Sequence, residues 1–213
     1  MMTKAIVFAS NLAHVLGFRH GPRAARPPAG NVWDYWQMVH PEKGPADARR
    51  VVKTYFLDLV PYALRCSQIP RSAQSLGLLW PILVPQIKLD RRLAFEFEDL
   101  HIWAPSDQYP NAYDMTPQEM HAIQPGLVDE CGQKFMSVAR DLAELTGIGH
   151  VATMCSHVPY ADAGARAARL ELGITENGGW LPGSGFGSGA FVHLVFTVAG
   201  KLAHCEYYPV PTE

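Results

Sequence analysis

No segment of the sequence approaches the roughly 18 consecutive apolar residues that a membrane-spanning helix needs. The opening stretch, "MMTKAIVFASNLA", has one Lys and a brief apolar run that Ser10 and Asn11 interrupt before signal-peptide length. Cysteine is scarce: Cys66, Cys131, Cys155 and Cys205 lie far apart with no C-x-x-C pair, which excludes a zinc knuckle or a thioredoxin-like dithiol. Free buried thiols in a reducing, cytoplasmic compartment are the expectation. An excess of charge of one sign is also missing, with 18 Lys and Arg against 20 Asp and Glu and a pI near 6.5. That balance offers no global attraction to nucleic acid or to an anionic membrane, so any anion binding must be local. His14, His40, His101, His121, His150, His193 and His204 show no i, i+4 spacing, so no metal cluster is expected. "GSGFGSG" (183–189) is followed by no Lys-bearing helix and reads as a flexible loop rather than a phosphate cradle. There is no internal repeat, no low-complexity tail and no linker, so residues 1–213 are read as one domain.

What is present is a core-forming composition, 48% hydrophobic, arranged as alternating strand-like and helix-like segments. "AHVLGF" (13–18) is a short apolar run stopped by Gly21 and Pro22. Over 44–60, Val51, Val52, Tyr55, Phe56 and Leu59 form one helical stripe behind Pro45. A strand is expected at 62–67, then a helix from about Arg71 with Leu76, Leu79 and Leu83 inward and Pro81 bending or ending it. Alternation then puts Leu93, Phe95 and Phe97 on one strand face and Ala94, Glu96 and Glu98 on the other. Residues 101–127 carry four prolines and little periodicity, which predicts an inserted loop region (about 100–127) with at most short helices, Thr116 to Glu119 resembling a capping box. An amphipathic helix over 128–147 closes at Gly147, a strand follows at 150–157, and a helix over 163–173 ends on Gly173. "AFVHLVFTV" and "KLAHCEYYPV", joined at Ala199 and Gly200, read as a hairpin.

Strands alternating with helices predict an α/β fold: a three-layer α/β/α sandwich, its central sheet mostly parallel, with the C-terminal antiparallel hairpin at the edge. Ligands of such sheets sit beyond the carboxyl ends of the strands. Read in order, those ends supply Arg19, His20 and Arg23, then Ser67 and Arg71, then Glu96 and Glu98, then Ser156 and His157. Three guanidinium forks at one end of a sheet suit a phosphate-sized anion. A neutral imidazole is a competent nucleophile for phosphoryl transfer, and a carboxylic acid is the natural proton donor to the leaving oxygen.

"FRHGPR" resembles the R-H-G signature of the histidine phosphatase superfamily, which includes the cofactor-dependent phosphoglycerate mutases. "SQIPRSAQS" matches that family's second block, with Ser67, Arg71, Ser72, Gln74 and Ser75 at the family's offsets. "HVATMCSHVPYADAGARAARLELG" is similar to its later strand ending in Ser-His before a helix. The resemblance spans residues 13–173 and implies that His20 is a transiently phosphorylated nucleophile. It also implies that Arg19 and Arg71 hold phosphoryl oxygens, that His157 adds a hydrogen bond or charge, and that Arg23 occupies a further phosphate-pocket position. The implied acid is a Glu after the third strand, usually two residues past a Leu; here that position is Phe95, and Glu96 and Glu98 are both candidates, Glu96 slightly favoured. Val158 follows His157 where the acid phosphatase branch has Asp and other members have Gly.

The expected activity is therefore hydrolysis of a phosphomonoester, on a small phosphorylated metabolite or on a phosphoprotein, with no metal or organic cofactor. The alternatives are mutase-type return of the phosphoryl group to substrate, which would want a longer chain and a closed site, and a non-catalytic module that binds phosphorylated ligands. No nucleic-acid or membrane partner is expected, and homo-oligomerisation stays open.

Overall fold

A computed structural model describes residues 6–22, 38–56, 58–94, 115–181 and 186–212. Among these residues, β1 (Ala13–Arg19), β2 (Ala63–Cys66), β3 (Ile87–Leu89), β4 (Val151–Ser156), β5 (Phe191–Phe196) and β6 (Leu202–Tyr208) form one sheet in the order β3-β2-β4-β1-β5-β6. The pairs β3/β2, β2/β4 and β4/β1 are parallel, while β5 runs antiparallel to both β1 and β6. The hairpin thus forms one edge of a mostly parallel sheet, as the sequence predicts. The helices are α1 (Lys43–Tyr55), α2 (Pro70–Leu79), α3 (Pro117–Ile123), α4 (Pro125–Thr146) and α5 (Tyr160–Glu171). No helix among the described residues is long and apolar enough to cross a membrane.

Both faces of the sheet are covered, which explains why β1, β4 and β5 are buried at nearly every residue rather than at alternate ones. Val15, Met154 and Val192 face α4 and α5, packing with Phe135, Leu142 and Tyr160. Leu16, Phe18, Cys155 and Phe191 face α1 and α2, packing with Val51, Tyr55 and Leu76. Phe135 of α4 fits only because two neighbours lack a side chain: a Cβ on Gly164 would lie 2.1 Å from its ring and one on Gly17 2.6 Å.

Several boundaries differ from the sequence expectation. The helix expected over 44–60 ends at Tyr55, with the chain turning through Asp58 at φ 60°, and Phe56 packs in the core from outside the helix. The third strand of the sheet lies at Ile87–Leu89, ahead of the alternating stretch that begins at Leu93. Asp90 ends the strand by accepting the Arg92 N–H, and Leu93 closes the resulting 3-10 turn, fully buried beneath α4. The rest of the alternating stretch, Phe95 to Glu98, lies outside the described residues, as does most of the expected insertion. Its described end holds α3 behind the expected capping box: Glu119 accepts the Thr116 N–H at 2.6 Å and Thr116 Oγ1 accepts the Glu119 N–H at 3.2 Å. The 128–147 helix starts earlier than expected, at Pro125, and ends where Gly147 adopts φ 73°.

Candidate active site

The central pair β1 and β4 sets the site. Arg19 stands opposite Ser156 across their parallel ladder, and the His20 N–H continues it by donating to the Ser156 carbonyl at 3.0 Å. The residues that leave the two strands, His20 and His157, therefore meet, with ring centroids 4.8 Å apart. On the other side of β4, Cys66 pairs with Cys155, which brings Ser67 beside the same edge and starts α2 there. Pro70 occupies the first turn of α2, and Arg71 follows it into the site, 5% exposed. Arg19, His20, Ser67, Arg71 and His157 thus converge at the carboxyl ends of three neighbouring parallel strands. Arg23, Glu96 and Glu98 lie outside the described residues.

His20 is 4% exposed, and its Nδ1 lies 2.6 Å from the Gly21 carbonyl oxygen. A carbonyl only accepts, so Nδ1 carries the proton and the lone pair of the neutral ring is on Nε2. Burial, then the charges of Arg71, His157 and Arg19, hold the His20 pKa well below the ordinary value, against a smaller opposing effect of the Gly21 carbonyl. The ring is neutral at neutral pH and has one basic nitrogen, which is the state a nucleophile needs.

His157 is held on its other side. Its Nε2 lies 2.6 Å from Ser67 Oγ and 2.8 Å from Ser72 Oγ, and the two hydroxyls are themselves 2.9 Å apart. Hydroxyls rotate and can donate or accept, so this pair can serve either protonation state of the imidazole. Ser75 Oγ donates to the Arg71 carbonyl and accepts the Gly21 N–H at 2.9 Å, tying the loop after β1 to α2. Gln74 Oε1 accepts the Val39 N–H at 2.7 Å. Four positions of the second sequence block, Ser67, Ser72, Gln74 and Ser75, therefore orient the groups around Arg71. Among the described residues no group of three His, Cys, Asp or Glu could hold a metal ion.

Neither a protein-family model nor a curated protein matches the chain. Solved structures do match it over nearly its whole length. YhfR of Bacillus stearothermophilus superposes with a TM-score of 0.65 at 13% identity, covering 93% of this chain and 98% of that one. A mycobacterial glucosyl-3-phosphoglycerate phosphatase gives 0.60 at 13% identity, covering 94% and 100%. A phosphoglycerate mutase from Bacillus anthracis gives 0.57 at 12% identity, covering 93% of each.

The chain has the histidine phosphatase fold.

Within the histidine phosphatase fold, the three sequence blocks occupy the ends of β1, β2 with α2, and β4. One buried group near them has no counterpart in the sequence expectations. Asp162, in the first turn of α5, is 2% exposed and accepts the Phe186 N–H at 2.7 Å. Its signal in the sequence is slight: a carboxylate five residues after His157 at a helix start, where a solvated acidic residue is the ordinary finding.

Proposed function

We propose that the protein hydrolyses phosphomonoesters of small molecules or proteins through a phosphohistidine on His20. The observation that carries this reading is the neutral, Nδ1-anchored His20 ring set against Arg19, Arg71 and His157. Nε2 attacks phosphorus, the P–N bond forms and the bond to the ester oxygen breaks. The departing oxygen takes a proton, which we assign to the carboxylic acid of Glu96 or Glu98. Water then attacks the phosphorus of the phosphohistidine, giving a proton to the same carboxylate, and inorganic phosphate leaves as the P–N bond breaks. The guanidinium groups of Arg19 and Arg71, with Arg23 assigned beside them, hold the equatorial oxygens whose charge must be borne throughout. His157, steadied by Ser67 and Ser72, donates to the same oxygens. The names of the similar structures, a glucosyl-3-phosphoglycerate phosphatase and a phosphoglycerate mutase among them, support phosphoryl chemistry of this kind.

The test is a panel of phosphorylated metabolites and phosphopeptides, together with mass-spectrometric trapping of phosphate on the protein. Wild type is expected to release phosphate and to carry a transient phosphohistidine that His20→Ala lacks. Labelled protein without net hydrolysis would replace the phosphatase reading with a mutase, and no label and no hydrolysis would reject both. Glu96→Gln and Glu98→Gln identify the acid: the variant of the true donor slows phosphoryl transfer from esters of poor leaving groups by about 10² to 10⁴ while sparing the initial burst of p-nitrophenol from p-nitrophenyl phosphate, which needs no proton to leave.

A further inference from the structure

Asp162 is a buried carboxylate for which the reaction above has no use. Removing a carboxylate from water is unfavourable unless partners compensate it, and an acidic residue placed only to complement a helix N-terminus can stay solvated. Here the compensation is incomplete. Oδ1 accepts the Phe186 N–H at 2.7 Å, while Oδ2 has no hydrogen-bond partner among the described residues. Phe186 links Asp162 to the site, because its carbonyl accepts from Nη1 of Arg19 while its N–H donates to Asp162. Both polar groups of one residue are thus committed, one to the carboxylate and one to the guanidinium. The side chain of Phe186 is fixed as well, 2% exposed and edge-on to Tyr207 with centroids 5.1 Å apart. The chain beyond it wraps β1: the Gly189 N–H donates to the carbonyls of Arg19 and His20, and the Arg19 N–H donates to Ala190. Arg19 is also the cation whose charge acts on the Asp162 carboxyl.

We propose that Asp162 is the positioning residue for the Arg19 guanidinium, acting through the main chain of Phe186; this rests on the reading of Arg19 as a phosphate ligand. Asp162 fixes the Phe186 N–H, which fixes the carbonyl that Arg19 grips, and so the fork is aimed before a phosphoryl group arrives. Pre-organisation of this kind lowers the cost of ordering a long side chain at the moment of binding.

The experiment compares wild type with Asp162→Ala, Asp162→Leu and Asp162→Asn, each alone and in an Arg19→Lys background. The readouts are hydrolysis of p-nitrophenyl phosphate and affinity for orthovanadate. Asp162→Ala and the volume-preserving Asp162→Leu leave the Phe186 N–H without its acceptor. Each is expected to raise KM and weaken orthovanadate about tenfold with a smaller change in kcat. Asp162→Asn keeps an oxygen that can accept the same N–H and is expected to stay within about threefold of wild type. In the Arg19→Lys background the losses from Ala and Leu should largely vanish, since residues that act through one another are not additive. An unchanged KM in Asp162→Leu, or the same loss with and without Arg19, overturns the proposal. A wild type that binds orthovanadate but hydrolyses nothing rejects the catalytic reading alone, and the Asp162 comparison is then read on affinity. A wild type that does neither rejects both.

Discussion

Replacing Asp162 by Asn removes one buried negative charge while keeping the shape of the side chain, and its effect on stability should depend on pH in a defined way. Burial pushes the Asp162 carboxyl from 3.8 up to about 6, against the opposing pull of Arg19 and of the Phe186 N–H. The folded protein therefore holds this proton more tightly than the unfolded chain does. Stability drawn from this group is complete below about pH 4, is lost as pH rises through the interval up to about 6, and stays lost above it. A displacement from 3.8 to about 6 corresponds to about 3 kcal/mol of penalty on the ionised form. Asn does not ionise, so at pH 7.5 the variant should be the more stable protein. The expected gain is about 1 to 3 kcal/mol, the lower figure allowing for an Nδ2 that enters a site where Oδ2 finds no partner. Urea unfolding followed by tryptophan fluorescence, at steps from pH 4.5 to 8, measures the difference directly. The gain should shrink towards zero as pH falls through 5. A difference that does not vary with pH, or an Asn variant less stable than wild type at pH 8, would refute the reasoning.

Other outcomes follow from the same geometry. Arg71→Gln should lower kcat/KM for p-nitrophenyl phosphate by about 10² to 10³, as loss of one preorganised donor does, with wild-type melting as the control for folding. Ser67→Ala and Ser72→Ala should each cost only a few-fold in kcat because either hydroxyl can serve His157 Nε2, and the double variant should lose far more than their product. Histidine NMR should find the His20 ring still neutral at pH 6, and a titration of His20 at or above 6.5 would contradict its burial among cations. Gly164→Ala drives a methyl to 2.1 Å from the Phe135 ring and should destabilise by about 1 to 3 kcal/mol, with partial relief from Phe135→Leu. The Cys66 thiol, buried and pushed up to about 12, should resist maleimide at pH 8 until urea unfolds the chain.

The parts of the fold legible in the sequence are those where burial is continuous or strictly periodic. β1, β4 and β5 are short, mostly apolar runs without strict alternation, and α4 carries a long inward stripe, so their existence could be read directly. β3 could not, because it is a three-residue edge with Lys88 and Leu89 exposed, too short and too wet to show either a continuous or an alternating apolar pattern. The site divides along a similar line. Arg19, His20, Arg71 and His157 are reactive residue types at strand ends and helix starts, and topology gathers them. Ser75 and Asp162 instead act on main-chain N–H groups of distant elements, Gly21 and Phe186, and a main-chain partner leaves no trace in the residue it belongs to. Ser67 and Ser72 fit a spacing pattern, but that both meet one imidazole nitrogen needs the fold.

The parallel pairing of β1 with β4 has a consequence for when the protein acquires any activity during folding. His14 pairs with Val151 and Arg19 with Ser156, so the ladder that brings His20 to His157 joins positions 137 residues apart. Closing such a loop has to precede the contacts that reward it, which makes this a slow pairing and a late one. Arg19 and His20 on one side and Ser67 and Arg71 on the other come early in the chain, but the strands that carry them, β1 and β2, become neighbours in the sheet only across β4. Oxyanion binding should therefore appear in a single phase with the last, sheet-completing step of refolding, and a ribosome-bound chain should stay blind to phosphate until β4 has emerged.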